Sequence, residues 1–114
     1  MFRKYFILKL YFFILKIYNK YWSIKMMNKY LVEFLGTMFF LYVIIATGNA
    51  FAIGAALALV IYLGGKISGG DFNPAVTVMM VVAGKQPKEE LIGYILAQIL
   101  GGLAAFELYK RFNL

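Results

Sequence analysis

The sequence predicts an all-α integral membrane protein with three transmembrane helices and one re-entrant half-helix. Of its 114 residues, 63% are hydrophobic and only 15% are charged, and the mean hydropathy is +0.78. Too few polar side chains remain to cover a soluble globule of this size. In addition, three apolar segments of about the length needed to cross a bilayer are separated by short polar or Gly-rich connections.

The charge balance and the missing residue types narrow the function. The net charge is +7, but the basic residues flank apolar runs and form no separate polar domain. This pattern argues against a nucleic-acid partner and favours a role in orienting the chain in the membrane. The sequence contains no Cys and no His, which removes disulfides, thiol nucleophiles and imidazole bases. We therefore expect no enzymatic activity, no cofactor and no metal site.

Residues 1–26 form a basic, hydrophobic leader whose composition differs from that of the rest of the chain. Glycine and alanine, which are frequent later, do not occur in it. Its lysines interrupt every apolar run well before the roughly 20 residues that a span requires. Lys9, Lys16 and Lys20 share one helical face, which is typical of a helix lying at the membrane surface.

Two alternatives remain for how the chain divides. The leader is either an interfacial helix that belongs to the protein, or upstream sequence ahead of a true start at Met26 or Met27. In both cases residues 27–114 are predicted to form the membrane domain. Lipid is the expected surrounding of that domain.

The first two spans are predicted to be antiparallel neighbours. The segment Leu31–Thr47 is apolar apart from Glu33 and nearly matches a hydrocarbon core of roughly 30 Å. Gly48 and Asn49 supply a turn. The second span, Ala50–Gly65, must return antiparallel because so short a connection allows nothing else.

A half-length helix is predicted between the second and third spans. Asn73 is a preferred N-cap residue, and the Pro that follows it suits the first helical position. The apolar run Pro74–Ala83 is only about 15 Å long, half of the membrane, and Gly84 ends it. This helix must therefore enter and leave on the same side, and Leu91–Tyr109 forms the third span.

The loop before the half-helix indicates a pore. At membrane depth the backbone carbonyls of Gly69, Gly70 and Asp71 would be unsatisfied in lipid. Such backbone is tolerated where it faces a water-filled cavity, which is the description of a pore.

Two polar residues are candidates for supporting the re-entrant loop, and one stripe of small residues is a candidate helix-packing face. Glu33 and Gln98 lie within spans, where polar groups usually face protein interior or water, and Glu33 is expected to accept hydrogen bonds from the re-entrant loop. The alternative for Glu33 is that it reaches the headgroups.

Small residues recur every four positions along the third span and predict close helix packing: Gly93, Ala97, Gly101 and Ala105.

These residues resemble the major intrinsic protein family, the aquaporins and glycerol facilitators, and specifically its N-terminal half. Three blocks carry the resemblance: Glu33-Phe34-Leu35-Gly36-Thr37, Ser68-Gly69-Gly70-Asp71-Phe72-Asn73-Pro74-Ala75-Val76-Thr77, and Gly93-Tyr94-Ile95 with Ala97-Gln98. A bare Asn-Pro-Ala occurs by chance at many helix starts, but three ordered blocks make coincidence improbable.

The resemblance implies roles for individual residues. In the family the signature Asn, here Asn73 of Asn73-Pro74-Ala75, presents its amide to the pore, and the carbonyls of Gly69, Gly70 and Asp71 would form the single-file acceptors. Ile53 aligns with an aromatic residue of the family's selectivity constriction. An aliphatic residue there leaves water and small polyols both open as solutes.

The sequence also departs from the family pattern. A second Asn-Pro-Ala and the Arg that follows it are not present, and Asp71 stands where His is common. One copy corresponds to half a pore, which leaves two hypotheses. Several chains, such as two antiparallel copies, form a passive channel for water or small neutral solutes. Alternatively, the chain is a non-conducting remnant, or a modulator that packs through its small-residue face against a full-length aquaporin-like protein.

Overall fold

The computed structural model describes residues 2–112, which form four α-helices and contain no strand. In chain order these are α1 Phe2–Thr47, α2 Ala50–Ser68, α3 Pro74–Val82 and α4 Leu91–Phe112, and a single 3₁₀ turn, Lys88–Glu90, precedes α4. Helices α1, α2 and α4 are long and apolar enough to cross a membrane. The predicted class, three spans and one half-helix, is confirmed.

Helix α1 is longer than the predicted first span. It begins at Phe2 and contains 46 residues, about 69 Å of helix, which accounts for the 70 Å longest dimension of the molecule. Neither Gly nor Pro occurs before Gly36, so nothing in the sequence stops the helix at the expected boundary after residue 26. The leader and the first span are therefore one helix. The side chains of residues 2–25 are all exposed, and their position on the membrane surface stays a prediction.

Helix α2 is capped at both ends. Asn49 Oδ1 accepts a hydrogen bond from the Ala52 N–H at 3.0 Å, and Gly69 ends the helix in a left-handed conformation with φ of 93°. The helix runs three residues beyond the predicted end at Gly65. Its backbone hydrogen bonds continue to the last of them, in which the Gly69 N–H donates to Gly65 O at 2.8 Å.

Helix α3 has the predicted half length. Its nine residues extend about 14 Å, less than half of a 30 Å hydrocarbon core. It starts where the sequence predicts, at Pro74 after the cap Asn73. At its end the Lys85 N–H donates to Met80 O at 2.9 Å around Gly84, whose φ is 74°. Lys66 and Lys85 line the same cavity, so the chain enters and leaves the half-helix on one side.

Helix α1 packs against both α2 and α4, and α4 also packs against α3. The small residues of α4 face α1. A Cβ at Gly101 would lie 2.6 Å from Phe34 O, and one at Gly93 would collide with the Tyr30 ring. Ala97 and Ala105 are buried.

Part of this small-residue face is already occupied within the chain, and its binding to another protein stays a prediction. Gly93 and Gly101 lie against α1 of the same chain, and the two alanines between and after them are buried. Their physical role is to let the backbones of two helices approach closely where a larger side chain would separate them.

Candidate pore site

The loop between α2 and α3 contains three residues with positive φ. Gly69 and Gly70 have φ of 93° and 72°, and Phe72 has φ of 51°, a conformation that non-glycine residues seldom adopt. The Phe72 side chain is 1% exposed. Its ring occupies the space left by Gly36 of α1 and lies close to Gly64 of α2, because a Cβ at Gly36 would overlap that ring. Because its ring is fixed between α1 and α2, Phe72 holds the backbone in place immediately before Asn73.

Glu33 joins the loop to two helices through a single carboxylate. Its Oε1 accepts hydrogen bonds from the Phe72 N–H and from Gln98 Nε2, both at 2.8 Å. Its Oε2 accepts from Ser68 Oγ at 2.8 Å. Glu33 is 0% exposed, so the side chain points into the protein and does not reach the headgroups.

The same network continues from Gln98 to the half-helix. Gln98 Nε2 also donates to Thr77 Oγ1 at 2.9 Å, and Thr77 Oγ1 in turn donates to Asp71 Oδ2 at 2.8 Å. Thr77 is 0% exposed. From α4, the Tyr94 hydroxyl donates to Ser68 O at 2.6 Å. Side chains of α1 and α4 thus hold both ends of the loop.

Asn73 lies at the start of α3 with its amide in a defined orientation. Its Oδ1 accepts the Ala75 N–H at 2.8 Å, while Nδ2 makes no hydrogen bond to any of residues 2–112. Asn73 and Pro74 line an open cavity of about 560 Å³ beside α1 and α4. Ala75 is exposed. The arrangement leaves the two N–H groups of Nδ2 as donors for a solute oxygen.

The loop carbonyls divide into bonded and unbonded groups. Ser68 O is bonded to Tyr94, whereas the carbonyls of Gly69, Gly70 and Asp71 accept no hydrogen bond from within the part of the chain that the structure describes. Gly69 and Asp71 line a second cavity, which is polar and has a volume of about 320 Å³. Unbonded carbonyls next to a polar cavity are suitable acceptors for water.

Ile53 does not line the cavity that contains Asn73. It lies in the first turn of α2, where its N–H donates to Asn49 O at 2.9 Å, and it is half-buried. Its place in a selectivity constriction stays a prediction.

Sequence reasoning gave no role to three residues that bond the loop: Ser68, Thr77 and Tyr94. Two spacings contained a usable signal. Thr77 follows Asn73 by four residues and Tyr94 precedes Gln98 by four, so each pair shares one face of its helix. The bond between Ser68 and Glu33 joins residues 35 apart and had no such signal.

Comparison with known proteins places these residues in a family. The family model described as "Major intrinsic protein" matches residues 20–113, so the match begins inside the leader. A glycerol uptake facilitator protein-like 6 from Lactiplantibacillus plantarum is 45% identical over an alignment 95 positions long, and the match covers 75% of this chain and 44% of that protein. Aquaporin Z from Brucella melitensis is 39% identical over an alignment of the same length, and the match covers 70% of this chain and 42% of that protein. The chain spans less than half the length of these curated relatives.

Proposed function

Because the chain belongs to the major intrinsic protein family, we propose that it forms half of a passive membrane channel for water or a small neutral solute. The observation that carries the proposal is the Asn73 side chain. Its oxygen is held by the start of α3, which leaves its amide N–H groups directed away from the helix and beside an open cavity. The names of the two relatives point to glycerol and to water as the solutes to test.

The half-helix would contribute to selectivity. The N-terminus of a helix carries a partial charge of about +0.5, and α3 begins at Asn73, so this charge would raise the barrier for cations and protons near the amide. Asp71 lies two residues before that terminus, and its carboxylate reduces the local positive field. We therefore propose weaker cation exclusion than a neutral side chain at position 71 would allow.

A complete pore requires a second half on the open side of the Asn73 cavity. Inverted repeats related by a two-fold axis in the membrane plane are a common way to build such a pathway. Two antiparallel copies of this chain would reproduce that symmetry, and an aquaporin-like partner would be an equivalent second half. In this proposal the assembled chains are surrounded by membrane lipid.

The second candidate is a non-conducting protein, a remnant or a modulator. It is favoured by the open form of the Asn73 cavity, which α1 and α4 of one chain do not enclose. The two candidates differ in a single measurable quantity, the solute flux through a bilayer that contains only this chain.

The test is the water and glycerol permeability of proteoliposomes, measured by stopped-flow light scattering. We expect the purified chain to raise at least one permeability and Asn73→Leu to abolish the increase, because Leu has no amide donors. Asn19→Leu makes the same chemical change on the exposed leader and should conduct like the parent. Equal rates for Asn73→Leu and the parent would remove Asn73 from the pathway, and no flux from the parent would favour the non-conducting candidate.

A further inference from the structure

We propose that the face between α1 and α2 binds one anionic phospholipid, with an acyl chain in an apolar groove and the phosphate beside Lys66. The groove and the open cavity at Asn73 lie on different sides of the Phe72 ring, which lines both. The phosphate would lie at the exposed Lys66 amine, at the rim of the polar cavity that Gly69 and Asp71 also line. The groove has a volume of about 390 Å³, within the usual size of ligand pockets. Its walls are aliphatic and aromatic side chains of the two helices, among them Leu35, Phe39, Leu59 and Leu63.

Two glycines and one buried ring lie at the floor of the groove. Gly36 and Gly64 line the groove together with Phe72. A Cβ at Gly64 would lie 2.6 Å from a Val32 methyl group, and one at Gly36 would overlap the Phe72 ring. The floor is therefore formed by backbone and by a buried ring, while Leu63 and Leu35 on the walls are 66% and 46% exposed. A slot with apolar walls and a backbone floor suits a flexible hydrocarbon chain.

One end of the groove opens toward positive charge. Ile67 lines both the groove and the polar cavity of about 320 Å³, and Lys66 and Lys85 also line that cavity. Lys29 is neutralised there by Glu90, at 2.9 Å from Nζ to Oε2. Lys66 and Lys85 have no carboxylate within salt-bridge distance among residues 2–112.

The carboxylate of Asp71, which also lines the polar cavity, does not cancel this charge. Asp71 is only 5% exposed and accepts the Thr77 hydroxyl, whereas Lys66 and Lys85 are exposed. The accessible groups at this end of the groove are therefore the two amines.

The apolar groove would lie at the level of the acyl chains in the bilayer, and the polar cavity at the level of the headgroups. The 19 residues of α2 measure about 28 Å, close to the hydrocarbon thickness, so Lys66 in the last turn lies at headgroup level. Basic pockets between spans are known to bind anionic headgroups. A phosphate complements these two amines, whereas a second copy of this chain, with a net charge of +7, brings no excess of negative charge to them.

Native mass spectrometry of the full chain in neutral detergent tests the site, with equimolar dioleoylphosphatidylglycerol and dioleoylphosphatidylcholine as probes. We expect one retained lipid, with a clear preference for phosphatidylglycerol over phosphatidylcholine. Lys66→Gln should reduce that preference by about fivefold, the effect of one basic residue near an anionic lipid surface. Lys88→Gln removes a lysine on the same side of the membrane that lines neither cavity, and should keep the preference.

A second pair of variants tests the groove. Leu63→Trp should fill it and reduce retention of both lipids, while Leu96→Trp makes the same change at an exposed position of α4 and should not. Equal retention of the two lipids by the parent overturns the proposal, as does an unchanged preference in Lys66→Gln or unchanged retention in Leu63→Trp. A dimer that retains no lipid would assign the groove to a second copy and also overturn it.

Discussion

Glu33 illustrates how one residue stabilises a loop that no secondary structure supports. A backbone N–H without a partner is costly inside a membrane protein, and the Phe72 N–H has no partner in a helix. Glu33 accepts this N–H together with the Ser68 hydroxyl and the Gln98 amide, so the carboxylate is satisfied by three donors. The cost of burying a charged group is offset by those bonds.

Replacing Glu33 by Gln should destabilise the fold. The amide turns one acceptor oxygen into an NH₂ donor. On one side it would face the Phe72 N–H and the Gln98 amide N–H, which can only donate. On the other it would face the Ser68 hydroxyl, which already accepts the Gly70 N–H at 3.1 Å and would have to rotate. We expect a loss of about 1–3 kcal/mol in the free energy of unfolding, the cost of one buried donor left unpaired. Thermal unfolding in detergent measures it. Glu107→Gln, which alters only an exposed pair with Lys110, should change stability by no more than about 0.5 kcal/mol. Equal melting temperatures for the two variants would contradict this role of Glu33.

Asn73→Asp separates the two roles of Asn73. Asp is as good an N-cap as Asn and its charge is favourable at a helix start, so α3 should form and thermal stability should stay within about 0.5 kcal/mol of the parent. The amide donors beside the cavity are lost, and we expect at least a roughly tenfold fall in any water flux, since a group that stabilises solute by about 1.4 kcal/mol is removed. Unchanged liposome permeability would show that the donors take no part in conduction.

At the scale of the elements, the position of one glycine sets the distance between α1 and α4. The Gly101 Cα faces the backbone of α1 at Phe34 and Met38, where no other residue type fits without movement. On α2, by contrast, Gly54 has no atom within 4 Å of the place a Cβ would occupy. The two glycines therefore have opposite physical roles in helices of similar composition.

This difference predicts opposite effects for the same substitution. Gly101→Ala must push α4 away from α1 and should cost about 1–3 kcal/mol of stability. Gly54→Ala meets open space and gains helix propensity, so it should be neutral or stabilising by up to about 1 kcal/mol. Thermal unfolding of both variants in one detergent is the measurement. A Gly101→Ala protein as stable as the parent would mean that α4 and α1 do not pack as closely as described.

At the scale of the whole molecule, charge should decide orientation. Four lysines lie near the side where the half-helix enters, against two basic residues at the other end of α4: Lys29, Lys66, Lys85 and Lys88 against Lys110 and Arg111. The exposed leader adds further basic residues to the first side: Arg3, Lys4, Lys9, Lys16, Lys20 and Lys25. Excess positive charge close to the first span places that side in the cytoplasm.

We predict that the 114-residue form inserts with its N-terminus inside, whereas a form beginning at Met27 inserts in both orientations. In cells, therefore, only the shorter form would supply the two orientations that an antiparallel pair of identical chains needs. The chain has no Cys, so a single C-terminal cysteine tag reports the topology. Its reaction with an impermeant reagent is measured on intact cells for both forms. Uniform labelling from outside in both would exclude an antiparallel pore of identical chains and favour a different second half.

The sequence by itself determined the helices and their order. Apolar run length, the cap Asn73 with Pro74 after it, and Gly84 as a stop are local properties, and the structure has α3 within one residue of its predicted bounds. The continuity of α1 was missed because charged residues argue against a membrane span but do not stop a helix. Only a helix-breaking residue would have marked that boundary.

The sequence predicted that Glu33 accepts hydrogen bonds from the re-entrant loop, but only tertiary structure decided which donors meet it. The bonds of Glu33 join residues 35, 39 and 65 positions apart, and no periodicity encodes such contacts. The small-residue face of α4 was recognisable in the sequence, but only packing showed that α1 covers part of it. The physical reason is that local backbone preferences depend on neighbouring residues, whereas the partner of a buried side chain depends on how distant helices fit together.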